Sequence, residues 1–538
     1  MFLVIFMEIK ILSSLAKIFP DEICNEYEID TLSCLKNERV SFQLAVKSDS
    51  DMSINVHSDC EQLKIYKIQY VPAGLTAEKD RDDYFIRNAK SGDYPDILIP
   101  IDSEIQLIGN EWTPVWCEFV PDGKLNVGEH EITVSVGDEV VKVKAKIIDA
   151  SFSDQSLICT HWFHTDCLAT YYNVEVFSDE YWRIVENFMR TAVSHGINMI
   201  LTPLFTPPLD TQFGGERPTV QLVDVKKEGD RYTFVFDKLK KWIDLADKCG
   251  IKYFEMSHLY TQWGARHAPK IMAQTSRGYK RIFGWGTNSH GKRYSDFLRQ
   301  LAPKLIRFID ENGLRNRCMF HISDEPQKRH YRSYKKSAEI MKDLFADFKK
   351  IDALSEFSFY EHGLTEYPIT NIMHIEDFVG KVPELWTYYC CNPCNKNLPN
   401  RFIAMPSLRN RILGFIMYAY DVKGFLHWGY NFYYTRYSKR KVDPFTETDA
   451  GGEFPSGDSY VVYPSPDGST YVSLRLKVFY DAIQDFEALK LLEKKIGREK
   501  TLEILNKDLE KPITARDYPH SEKWLIEKRN EINRTLAM

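Results

Sequence analysis

The sequence predicts a multidomain protein of mixed α/β and β class: an N-terminal β-sandwich over residues 7–150, a central (β/α)8 TIM-like barrel over 151–470, and a C-terminal helical region over 471–538. Three observations carry this prediction. The first part holds short alternating apolar runs without long helices, and the second holds eight apolar runs interleaved with amphipathic helices. The third opens with a long helical pattern after a loop rich in Gly, Pro and Asp.

At the start, the apolar stretch from Phe2 to Phe6 lacks a basic flank and meets Glu8 at once, so no signal peptide is expected, with Met7 as an alternative start. Runs 39–46, 113–120, 131–136 and 139–148 alternate or nearly alternate apolar and polar residues, and Pro121-Asp122-Gly123 marks a turn. Strands in this number without helices imply an antiparallel sandwich. From 155 onward the apolar runs are 157–163, 198–203, 251–257, 318–323, 351–355, 371–375, 384–390 and 424–430. Helical patterns at 179–195, 236–249, 294–312, 327–348 and 407–422 separate several of them. Short strands joined by helical crossovers give a parallel sheet, and eight such units close into a barrel whose chemistry lies at the carboxyl ends of the strands. After the loop 443–468, helices are expected at 472–496, 501–509 and 521–536, packed on the barrel.

Composition narrows the function. Hydrophobic residues at 43% and charged residues at 27% exclude global disorder and fibrous repeats. Lys and Arg number 70 against 76 Asp and Glu, a net charge of −6 that offers no basic footprint for nucleic acid or an anionic membrane. No apolar run reaches the ~18 residues of a membrane span, so no membrane insertion is expected. The 11 cysteines are odd in number and scattered through apolar segments, which fits reduced thiols and a cytoplasmic location. Cys390, Cys391 and Cys394 form the one cluster, and without a second Cys/His pair nearby no zinc or other metal site is assigned. Aromatic residues at 13% suit both cores and sugar clefts.

The sharpest motif is His321-Ile322-Ser323-Asp324-Glu325-Pro326, at the end of the fourth barrel run. Adjacent strand residues point to opposite faces, so Asp324 and Glu325 can share one ligand only where the strand ends and turns. Two carboxylates in one cleft resist joint ionisation, which keeps one protonated as a general acid. The plainer alternative is an Asp that caps the next helix beside a solvated Glu.

This segment resembles the catalytic motif of glycoside hydrolase family 123, retaining exo-acting β-N-acetylgalactosaminidases. Three further stretches are similar to the family in the same order: Thr160-His161-Trp162-Phe163-His164-Thr165-Asp166, Leu385-Trp386-Thr387-Tyr388-Tyr389-Cys390-Cys391-Asn392-Pro393, and Gly424-Phe425-Leu426-His427-Trp428-Gly429-Tyr430-Asn431. The resemblance spans about 7–496, and departs from the family where Tyr480-Asp481-Ala482 replaces its usual Arg-Asp-Gly. It implies a substrate-assisted mechanism in which the sugar's own 2-acetamido oxygen attacks the anomeric carbon, with Glu325 as acid and base and Asp324 holding the amide N–H. Neither metal nor cofactor is then required. The substrate would be a terminal β-linked N-acetylgalactosamine on a glycolipid or glycan.

The strand ends supply candidates for the sugar pocket. Tyr388 would donate to the acetamido oxygen, or else be a core tyrosine. Trp428 would floor the pocket, with Asn431 and Tyr433 at the mouth, while Trp386 serves either the pocket or the barrel interior. His164, Asp166, His258 and Asp458 are candidate hydroxyl ligands, against the alternative of satisfied core residues. The rival functions are the same fold with N-acetylglucosamine specificity and a non-catalytic carbohydrate-binding protein. Retention of the Asp324-Glu325 pair argues against the second.

Overall fold

The computed structural model describes residues 6–101 and 104–538, so the apolar start before Phe6 lies outside the described residues. The N-terminal part is two packed sheets. One has five strands in the order Thr31–Leu35, Glu139–Ile148, Gly128–Val136, Met52–His57 and Glu104–Leu107. In Glu139–Ile148 the alternation predicted from sequence holds: Val141, Val143, Ala145 and Ile147 are buried against Phe42, Leu44 and Val115 of the other sheet, and the intervening lysines face water. Thr31–Leu35 pairs with it in parallel, so the sandwich is mixed and not purely antiparallel.

The other sheet has seven strands, and two of them come from far down the chain. Its order is Met7–Ser13, Val40–Ser48, Trp112–Phe119, Leu63–Ala73, Gly92–Pro100, Thr470–Ser473 and Val462–Pro464. The loop after the last barrel strand therefore returns to the N-terminal sheet, where Val472 pairs with Leu98.

Eight parallel strands close the barrel: Ile158–His161, Met199–Thr202, Tyr253–Met256, Cys318–Phe320, Lys349–Ala353, Tyr367–Asn371, Trp386–Tyr388 and Gly424–His427, the first pairing with the last. Each falls within the expected run except the fifth, which starts two residues before 351–355, and the sixth, which lies earlier than 371–375. Pro368 sits inside that strand and interrupts its apolar pattern. Asn371 ends it, its side chain accepting the Met373 N–H at 3.0 Å to start a short 3-10 turn. Met199, Leu201, Met319, Ile351, Ile369, Leu426 and Trp386 fill the barrel interior. Trp386 fits because Gly424 faces it: a Cβ there would lie 2.2 Å from the indole ring.

Among the helices, 327–348 resolves into a 3-10 turn, Lys328–His330, and a helix, Tyr331–Leu344, while 407–422 breaks into Ser407–Arg411 and Leu413–Ala419. A four-stranded sheet unforeseen in the sequence (Arg231–Val235, Asp224–Glu228, Ile271–Thr275, Gly278–Phe283) grows from the connections after the second and third barrel strands. The long helix Leu474–Ile496 starts where Ser473 accepts the Leu476 N–H at 3.0 Å, and it packs on the barrel helices. The final helix, Glu522–Ala537, packs on that long helix and on the sandwich strands Thr31–Leu35 and Glu139–Ile148, with Arg529 paired to Glu38 at 2.7 Å. Its apolar side, Leu525, Ile532 and Leu536, needs that cover.

Candidate active site

Residues at the carboxyl ends of the barrel strands surround a cavity of about 400 Å³. On its floor stand Asp324 and Glu325, just beyond the fourth strand. Glu325 adopts a left-handed backbone, φ 41°, which turns the chain so that both carboxylates face the same space. Such a conformation costs a non-glycine residue roughly 1–3 kcal/mol, so the surroundings must hold it. They do so on both sides of the pair: the Glu325 N–H donates to the Ala353 carbonyl at 2.9 Å, and the Asp324 carbonyl accepts the Trp263 N–H at 2.9 Å.

Burial and, for Asp324, the neighbouring Glu325 carboxylate push both acids above the ordinary carboxylate range. Tyr388 works against this by donating its hydroxyl to Glu325 at 2.7 Å. Below Asp324, His321 is held between two buried carboxylates, Glu255 at Nε2 and Asp352 at Nδ1. Burial alone would depress its pKa, but the Glu255 and Asp352 charges overcome this and raise it to about 9, so its imidazolium favours an ionised Asp324. The network is anchored by the Trp162 indole N–H on Glu255 at 2.7 Å and by the Ile322 N–H on Asp352 at 2.9 Å.

Four predicted residues line the cavity: Asp324, Glu325, Tyr388 and Trp428. Tyr388 reaches it with its hydroxyl engaged by Glu325. The other seven stand behind the wall, each with a structural reason. Trp386 is the fully buried barrel filler. Asp458, buried beneath Trp428, accepts its indole N–H at 3.0 Å and is raised by burial to about 7. Asp166 pairs with Arg217 at 2.7 and 2.8 Å, and His164 bonds the Trp428 carbonyl at 2.9 Å, so both brace the wall that they were expected to form. Asn431 clasps the His164 backbone, its Oδ1 accepting the N–H at 2.8 Å and its Nδ2 donating to the carbonyl at 3.1 Å. The Tyr433 hydroxyl donates to the Val462 carbonyl at 2.8 Å, outside the cavity. His258 stacks on His321 with ring centres 4.2 Å apart.

His258, His321 and Asp352 are also the group of potential metal ligands that converges among the described residues. Both His321 nitrogens are already committed to carboxylates and the two rings lie nearly parallel, so the group reads as a charge network. The thiols of Cys390 and Cys391 lie 4.0 Å apart on the cavity wall, and Cys394 turns away to Asp80.

Sequence reasoning missed several lining residues: Trp162, Asp210, Trp263, Arg436, Tyr437 and Phe454. Trp162 was visible, two residues before His164, but the others arrive on long loops. Asp210 ties two of these loops together. Its N–H donates to the Gln262 side chain at 2.7 Å, and its carboxylate accepts the Tyr437 N–H at 2.8 Å. Burial raises the Asp210 carboxyl to about 6. Trp263 and Tyr437 then meet edge to face at 5.8 Å across the mouth. A paired acid beneath aromatic walls in a closed barrel can bind a sugar ring by stacking and protonate a glycosidic oxygen.

Comparison with known proteins agrees with this chemistry. Residues 162–492 match the glycoside hydrolase 123 catalytic domain, more than half of the chain. No protein of curated function matches the sequence. A solved family 123 glycoside hydrolase from Clostridium perfringens, described in terms of glycolipid glycan hydrolysis, superposes over 99% of this chain and 98% of its own, with a TM-score of 0.74 at 14% identity. A family 5 mannosidase from Rhizomucor miehei matches 64% of this chain and 95% of its own at 12% identity, with a TM-score of only 0.34. With the catalytic-domain match running from Trp162 through the Asp324-Glu325 pair to the long C-terminal helix, the chain belongs to glycoside hydrolase family 123.

Proposed function

We propose that this glycoside hydrolase is a retaining, exo-acting β-N-acetylgalactosaminidase that removes terminal β-linked N-acetylgalactosamine from glycolipids or glycans by substrate assistance. The observation that carries the reading is the turned Asp324-Glu325 peptide, which puts both carboxylates on one floor. A conventional retaining enzyme sets its acid and nucleophile roughly 5 Å apart across the scissile bond. A neighbouring pair instead suits one acid and one partner for the 2-acetamido group. The glycolipid target of the Clostridium perfringens structure supports the substrate class.

In the first step the acetamido oxygen bonds to the anomeric carbon, the glycosidic bond breaks, and the Glu325 proton passes to the leaving oxygen. Asp324 accepts the amide N–H and balances the positive charge of the oxazolinium ring, with the His321 imidazolium favouring its ionised form against the upward push of burial. Water then attacks the anomeric carbon, Glu325 takes its proton, and the acetamido group reopens. Two displacements retain the configuration. Trp428, Trp162 and Leu426 offer the apolar wall for the acetamido methyl and sugar face.

The test compares β-glycosides that differ only at C2 and C4. The 2-acetamido galactoside is expected to be cleaved, the 2-hydroxy galactoside to be inert, and the gluco epimer to be poorer. A thiazoline analogue of the intermediate should inhibit far more tightly than the free sugar, and Asp324→Asn should weaken inhibition and turnover together, as for a group complementary to the transition state. Efficient cleavage of the 2-hydroxy sugar overturns the mechanism, and preference for the gluco epimer overturns the specificity.

A further inference from the structure

Glu325 borders a second cavity. It measures about 460 Å³ and shares Glu325, Gln327, Tyr388 and Cys391 with the first, so the catalytic acid stands between two spaces. Their linings differ in kind. The first is walled by indole and phenol rings, whereas the second is polar, with Ser355, Glu356, Asn371, Asn392 and Asn395 from the barrel loops. Its remaining wall comes from another part of the fold: Glu78 and Asp80 lie in the sandwich, on the loop between the strands Leu63–Ala73 and Gly92–Pro100.

That loop is held against the barrel. Asp80 accepts the Asn395 amide at 2.6 Å, and two residues on Asp82 receives Arg409 in a two-pronged pair at 2.9 Å. Inside the cavity the polar groups are only partly used. Buried Asn371 has a single long contact from its amide nitrogen, 3.4 Å to Asn392, and the Asn395 side-chain oxygen has no partner. Glu356 is balanced by Lys328 at 3.4 Å, but among the described residues Glu78 has no cation within ion-pair distance.

We propose that this second cavity is the subsite for the leaving saccharide, completed by the sandwich loop through Glu78 and Asp80, and that it selects uncharged leaving groups over anionic ones. This rests on the glycosidase reading above. A general acid must reach the oxygen that joins the released sugar to its leaving group, so of two contiguous spaces that meet at Glu325, one takes the sugar and the other the departing group. Carboxylates and amides are strong acceptors for the hydroxyls of a neutral sugar. The same carboxylates repel a sulfated or sialylated one.

The experiment measures kcat/KM for three 2-acetamido-β-galactosides, in the wild type and in Glu78→Gln and Asp80→Asn: an aryl glycoside, a neutral oligosaccharide, and that oligosaccharide with a sulfate on its leaving sugar. The wild type should favour the neutral oligosaccharide over the sulfated one. Each variant should lower the ratio of neutral oligosaccharide to aryl glycoside by about tenfold, the worth of one charge-assisted hydrogen bond, and should narrow the preference against sulfate. Asp80→Asn retains an acceptor for Asn395, so it separates lost charge from a disturbed loop. Ratios equal to wild type in both variants, or a wild-type preference for the sulfated substrate, overturn the proposal. Failure of the wild type to cleave the aryl glycoside at all would instead overturn the underlying activity.

Discussion

At Tyr388 the structure places a phenol against Glu325, the proposed general acid, and this has a definite consequence for the pH profile. Its hydrogen bond favours the ionised Glu325 and so offsets part of the upward push from burial. Tyr388→Phe removes that offset, so the Glu325 pKa rises further. Because the proposed mechanism needs the proton on Glu325, the alkaline limb of kcat/KM for an unactivated glycoside is expected to move to higher pH, while an aryl substrate with a good leaving group responds less. An alkaline limb that stays in place or moves down contradicts the assignment. Asp324 and Glu325 were legible in the sequence because adjacency at a strand end is itself a geometric statement. His164, Asp166 and Asn431 were legible as strand-end residues, but nothing in the sequence shows that Arg217, some fifty residues on, turns Asp166 inward. Asp210 and Tyr437 were illegible for the complementary reason: their long loops carry no periodicity, and hydrogen bonds between the loops place both at the mouth.

Among the elements, the seventh and eighth barrel strands show how a missing side chain becomes part of the packing. Gly424 leaves the space that the Trp386 ring occupies, so Gly424→Ala forces the ring or the strand to shift. Overpacking of this kind costs typically about 1–3 kcal/mol, and urea denaturation should show a loss in that range, with activity falling too because Tyr388 lies two residues along the same strand. Unchanged stability would mean that the barrel interior repacks freely. The eight strands were readable from apolar runs, since buried parallel strands are apolar on both faces. The sixth was misplaced because Pro368 breaks its pattern, and the added four-stranded sheet escaped notice because strands such as Gly278–Phe283 are mostly exposed and lack a buried face.

Across the whole molecule, buried ion pairs join the sandwich to the rest. Arg475, at the start of the long helix, grips Asp96 of the strand Gly92–Pro100 with two bonds of 2.9 Å, while Lys477 meets Glu118 at 2.5 Å. Removing one partner of such a pair strands a charge away from water, at a cost of about 3–5 kcal/mol. Asp96→Ala should therefore lower stability by that amount in chemical denaturation, and fluorescence and circular dichroism should report the same transition. A loss below about 1 kcal/mol, or separate transitions for sandwich and barrel, contradicts this coupling. These pairs were hidden in the sequence, where Asp96 and Arg475 stand nearly four hundred residues apart.

The return of Val462–Pro464 and Thr470–Ser473 to the N-terminal sheet also bears on how such a protein can be inherited. A gene cut near residue 150 would release a sandwich whose strand Gly92–Pro100 has lost its neighbour, an open edge that invites pairing with other chains. The complementary piece would carry two orphaned strands and a long helix whose first turns expect a foreign acid. Neither fragment is a module that recombination could trade, so the barrel and its sandwich are expected to travel through evolution as one indivisible cassette.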